Sequence, residues 1–99
     1  MQDTASDKAY VIIAYDIIKN RARTRVMKLL KGYGLHAQKS VFECYLNDAE
    51  LDELKMRILT EIDEERDSVR FYRLPRREMA RIEILGCGEV YEERQLVIL

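Results

Sequence analysis

Tyr10-Val11-Ile12-Ile13-Ala14-Tyr15-Asp16 is the stretch on which the fold turns. Six apolar or aromatic residues in succession, three of them β-branched, form the pattern expected of a central strand buried on both faces. The run stops at a carboxylate. From Asn20 the period changes, and Ala22, Val26, Leu29, Leu30 and Tyr33 fall at helical spacing. Asn20 serves as the expected N-cap, and Gly32 and Gly34 as the stop, of an amphipathic helix of about three to four turns.

Downstream, Gln38 to Leu46 returns to strand alternation, with Phe42, Cys44 and Leu46 against Val41, Glu43 and Tyr45, and a separate short strand is expected around Leu35 to Ala37. Asn47-Asp48-Ala49-Glu50 has the layout of a capping box, and Leu51, Leu54, Ile58, Leu59 and Ile62 mark a second helix through about Glu65. Ser68 to Leu74 is a further central strand, closed by Pro75, the only proline. With right-handed crossovers this order predicts an α+β fold, a ferredoxin-like βαββαβ sandwich with both helices on one face.

The flanks differ in kind. Residues 1–8 form a polar tail without the apolar core of a signal peptide, and residues 9–90 form the domain. Ile82 to Leu85 is expected as a short strand broken by Gly86-Cys87-Gly88. Residues 91–99 end on Leu96-Val97-Ile98-Leu99, which needs cover; an extra C-terminal strand on a sheet edge of this subunit, of a second copy or of a partner provides it.

Ninety-nine residues and 11.7 kDa support one hydrophobic core. Apolar residues at 47% and charged ones at 35% exclude both a disordered chain and a membrane span. Cys44 and Cys87 form no C-x-x-C pair and His36 is the only histidine, so structural zinc is excluded. A reducing, cytoplasmic setting is expected, with Cys44 a small core residue rather than a nucleophile.

The net charge of -1 argues against a polyanion partner until the charges are located. Lys19, Arg21, Arg23, Arg25, Lys28 and Lys31 meet no acid before Gln38. Arg21, Arg25 and Lys28 share one stripe of the helix, and bases on its first turn oppose the helix dipole. Arg70, Arg73, Arg76, Arg77 and Arg81 form a second group against Glu78, whereas Glu43 to Asp67 carries ten acids and three bases. Two readings stand: the acidic helix neutralises the basic one, or the surface is polarised to bind phosphates, for which the arginine fork is suited.

Asp16 sits where a rigid element ends, a good position for a metal ligand. Mg2+ (or Mn2+) needs one or two carboxylates, waters and a substrate phosphate. One carboxylate is a poor site, so this reading requires a homodimer that brings two copies of Asp16 together. The plainer alternative is that Asp16 caps the loop or pairs with Arg21 or Arg23.

Val11 to Ile17, Asn20 with Arg23 and Arg25, Gln38 to Glu43, and Asp67 to Leu74 together resemble the CRISPR-associated protein two family, in order and spacing, from about Tyr10 to Val90. The resemblance implies a homodimeric metal-dependent phosphodiesterase, described for single-stranded RNA and for double-stranded DNA. It also implies a scaffold role, holding protospacer duplex with the CRISPR integrase during spacer acquisition. Asp16 matches the metal-binding aspartate, and Tyr15, Arg23, Arg25 and Phe42 match positions tied to activity or nucleic-acid contact. Catalysis is thus expected of Asp16 and Tyr15, and nucleic-acid contact of Arg21, Arg23, Arg25, Lys28, Phe42, Arg73, Arg76 and Arg77. His36 lies where some relatives are basic. The alternatives are a toxin-like messenger ribonuclease on the same fold and a non-catalytic ferredoxin-like ligand-sensing module.

Overall fold

In the computed structural model, β1 spans Ala9–Asp16 and is the inner strand on which the sheet is built. The structure describes residues 8–88, 90 and 91; the N-terminal tail up to residue 7 and the expected strand beyond Tyr91 lie outside them. Val11, Ile13 and Tyr15 turn one way into the core, and Ile12, Ala14 and Asp16 turn the other. The expectation of burial on both faces is therefore corrected. Among these, Ile12 and Ala14 are only half-buried and Asp16 is exposed, because both helices pack on a single face.

The helix α1 spans Asn20–Lys31 and α2 spans Asp48–Leu59. Lys19 rather than Asn20 occupies the cap position of α1, and no side chain caps it. The Asn20 carboxamide instead accepts a hydrogen bond from Arg23, within the first turn. The capping box of α2 forms as its sequence predicts: Asn47 Oδ1 accepts from the Glu50 amide at 2.8 Å, and Glu50 Oε1 accepts from the Asn47 amide at 2.9 Å. This helix stops six residues before Glu65. The Asp63 carbonyl takes the amides of Arg66 and Asp67, which closes a separate turn.

Between the helices, β2 (Gly34–Gln38) and β3 (Val41–Leu46) form a hairpin turning at Lys39 and Ser40. Gly34 is a strand residue, not a helix stop. It faces Cys44 across the hairpin, where a Cβ would lie 2.3 Å from the Glu43 carbonyl oxygen and 2.6 Å from Cys44 Sγ. Only a residue without a side chain permits that approach. The last described strand, β4 (Ser68–Leu74), pairs antiparallel with β1 and forms an edge among the described residues, which corrects its expected central place.

The strand order β2-β3-β1-β4, antiparallel throughout, is the ferredoxin-like arrangement. Val26 and Leu30 of α1 and Leu51, Leu54 and Ile58 of α2 close over Val11, Ile13, Phe42 and Cys44. Burying each large apolar side chain contributes about 1.5–3 kcal/mol. Cys44 is fully buried and unpaired, and burial, aided by Glu43, pushes its thiol up to about 12, so it packs as the expected core residue and is no nucleophile.

After Pro75 the chain makes a 3-10 helix at Arg76–Arg81 and crosses the open face of the sheet. The Tyr45 hydroxyl contacts Met79 Sδ at 3.2 Å and donates to the Tyr91 carbonyl at 2.8 Å, while the Tyr91 amide donates to Glu43 at 3.0 Å. Tyr10 and Tyr45 are buried beneath this crossing. Ile82 to Leu85 forms no strand, and Leu85 is 96% exposed.

Candidate nucleic-acid interface and metal position

Asp16 ends β1 on the open face, opposite Ser68 of β4. It borders two depressions. One, on the open face, has a volume of about 230 Å³ and includes Ser68, Arg70 and Tyr72. The other, about 570 Å³, lies between the end of β1, the first turns of α1 and the β2–β3 turn. Among the described residues no hydrogen bond or ion pair engages the Asp16 carboxylate, so the plainer pairing with Arg21 or Arg23 does not form.

Arg23 is committed elsewhere. Its guanidinium donates to the Ile17 carbonyl at 2.6 Å, to Ile18 at 3.4 Å and to Asn20, which fastens the loop leaving β1. A second tie comes from Asp67, whose carboxylate accepts from the Ile18 amide and the Asp63 amide, both at 2.9 Å. These bonds hold its carboxyl below the usual carboxylate range. Asp67 lies within a stretch that carries the family resemblance, but its role is not legible in the sequence, since a bond across 49 residues leaves no local signal.

Tyr15, expected to be catalytic, is buried. Its hydroxyl donates to the Lys39 carbonyl at 3.3 Å and its amide to the Ser40 carbonyl at 3.0 Å. Burial raises the phenol above its ordinary value against the opposing pull of Arg23, so it remains a hydrogen-bond donor at neutral pH. His36 Nε2 lies 3.0 Å from the same Lys39 carbonyl, with its ring 4.4 Å from Phe42 and within 2° of parallel. Phe42 itself has no exposed surface. The expectation of direct contact is thereby corrected: the ring supports His36 and Tyr15 from below.

The two basic groups fall apart along the sheet. Arg21, Arg25 and Lys28 lie exposed on α1, which begins at the Asp16 end of β1; Arg25 meets Glu61 at 3.5 Å, the one place where the neutralising reading is realised among these three. Arg73, Arg76 and Arg77 lie toward the other end of β1, with Arg73 opposite Val11, about 17 Å from Asp16 at about 3.3 Å per strand residue. Arg73 pairs with Asp48, Arg76 lies 5.3 Å from the Tyr45 ring centre, and Arg77 lies 3.8 Å from Glu78. Antiparallel pairing causes this, because β4 ends where β1 begins. Arg70 is the exception. It opposes Ala14 on the open face and reaches the depression beside Asp16, although it was absent from the expected contacts.

A hard divalent cation takes oxygen ligands, and Asp16 fits as one of them. Among the described residues no group of three or more histidine, cysteine or acidic side chains could hold a metal.

The CRISPR associated protein Cas2 family model matches residues 9–82. The endoribonuclease Cas2 3 of Chloroflexus aurantiacus is 43% identical over 82% of this chain and 87% of its own. The endonuclease Cas2 2 of Thermus thermophilus is 36% identical over 93% and 98%. Streptococcus pyogenes Cas2 superposes with a TM-score of 0.69 at 38% identity, covering 78% of this chain and 99% of that one. A chain of a partial Cas6-RT-Cas1–Cas2 complex shares the fold, with a TM-score of 0.62 at 23% identity over 78% and 90%. With the aspartate at the end of β1, the arginine-fastened loop behind it and a match across nearly the whole described sheet, the chain belongs to the Cas2 family of CRISPR-associated proteins.

Proposed function

We propose that this chain acts as a homodimeric subunit of CRISPR adaptation, binding double-stranded DNA beside an integrase partner and hydrolysing phosphodiesters in DNA or single-stranded RNA with Mg2+ or Mn2+. The observation that carries the nuclease reading is the uncommitted Asp16 carboxylate, held at the rim of the open sheet face by a loop tied down at Arg23 and Asp67. Relatives named endonuclease and endoribonuclease support the activity, and the complex that joins Cas1 to a chain of this fold supports the integrase partnership.

Two copies stacked through the open face would pair their Asp16 side chains and complete the donor set. A bound divalent ion would supply Lewis-acid stabilisation and an activated water. The chain's own contributions are positional. Arg70 orients a phosphate next to Asp16, and Arg21 and Lys28 hold the flanking backbone.

The test is a metal-titrated cleavage assay on duplex DNA and single-stranded RNA with the wild type and Asp16→Asn. Cleavage is expected to fall at least about a hundredfold in the variant, while duplex affinity stays within about twofold. Undiminished cleavage by Asp16→Asn removes the nuclease assignment and leaves the binding role.

A further inference from the structure

The 570 Å³ cavity behind Asp16 is not needed to hold a metal or a duplex backbone, yet it is built from fixed parts. Its floor is apolar, from Ile17 and Met27. Its polar lining comes from Asp16 at the end of β1, Arg23 and Thr24 of α1, His36 of β2, and Lys39 and Ser40 of the hairpin turn. Tyr15 and His36 both bond the Lys39 carbonyl, so the turn that carries the Lys39 ammonium and the Ser40 hydroxyl is locked from two sides. Among the described residues, the Lys39 ammonium and the Thr24 and Ser40 hydroxyls have no hydrogen-bond partner.

We propose that this cavity receives one unstacked nucleobase of a single strand whose phosphate lies at Asp16. An apolar floor with a few converging donors suits a flat heteroaromatic ring, and the volume falls in the range of small-ligand sites. A base reaches such a recess only when it has left the stack, as at a single-stranded segment or a frayed end. The arginine stripe of α1 tracks the backbone without regard to strandedness, whereas the cavity distinguishes single strands from continuous duplex. This proposal rests on the nucleic-acid reading of the preceding section and adds the form of the substrate.

The experiment observes methionine methyl groups by NMR. The chain has four methionines; Met27 lines the cavity, and Met56, 70% exposed on α2, is a remote control. A short single-stranded oligonucleotide is expected to shift the Met27 methyl through the base's ring current and to leave Met56 in place. The same backbone with an abasic position, or the strand paired in a blunt duplex, is expected to leave Met27 unshifted while still binding. Thr24→Trp, which fills the cavity from an exposed helix position, is expected to weaken single-strand affinity about tenfold, the scale of one lost base contact, and to leave duplex affinity unchanged.

A Met27 shift as large with the abasic strand, or equal losses for strand and duplex in Thr24→Trp, overturns the cavity assignment alone. So does binding of the strand with Met27 silent. Absence of salt-dependent binding to either form by the wild type overturns the nucleic-acid reading, and the cavity assignment with it.

Discussion

Asp67 shows most directly how one side chain prepares the site. It joins the loop after β1 to the turn before β4, and so fixes both strand ends that flank Asp16. Its folded-state pKa is depressed by the two backbone amides. The resulting stabilisation is present above the unfolded value of about 4 and is lost as pH falls through the folded one. Asp67→Asn should therefore lower the melting temperature at pH 7 and flatten the acid limb below pH about 4, as calorimetry across that range would register. An acid limb identical to the wild type's would remove Asp67 from this role. At this scale the residue types were legible but their partners were not. Asp16 as the end of a strand and Cys44 as a core thiol follow from local pattern, whereas the uses of Tyr15, Asp67 and Arg70 depend on neighbours two dozen or more residues away or across the sheet.

Elements were legible where the local chemistry closes on itself. The capping box of α2 is a four-residue affair and forms as read, and the alternation in β3 sends Phe42, Cys44 and Leu46 to the core. Gly34 looked like a helix terminator because the reason for it, the Glu43 carbonyl across the hairpin, is contributed by another strand. The basic helix was legible as a charge run, but its division of labour was not. Arg23 serves the backbone and Arg25 meets Glu61, which leaves Arg21 and Lys28 as exposed cations among the α1 residues expected to bind. Arg21→Ala with Lys28→Ala should reduce the slope of log affinity against log salt by about two, whereas Arg73→Ala, already paired with Asp48, should change it by less than about one. Anisotropy titrations at several salt concentrations measure both slopes.

For the whole molecule, antiparallel topology decides what one copy can present. It sends most of the second arginine group toward the far end of β1, so the two basic groups of the sequence stand as two patches on one chain. The open face near Asp16 carries Ile12, Ala14, Val41 and the half-exposed Tyr72, the apolar content expected of a surface that meets a second copy. If the proposed dimer forms through this face, Ala14→Arg should convert it into a monomer in sedimentation at micromolar concentration and abolish metal-dependent cleavage, with the circular dichroism of the folded chain retained and the melting temperature lowered and no longer concentration-dependent. A dimer that persists in this variant places the contact elsewhere.

The seating of Met79 and Tyr91 on the Tyr45 hydroxyl bears on the proposed dimer. It acts as a doorstop. With Tyr10 and Tyr45 already covered by its own chain, the strip of open face left to a second sheet runs from Ile12 to Asp16. In the proposed dimer, two such sheets closing on each other would bring their bare ends, and the carboxylates on them, toward a common axis.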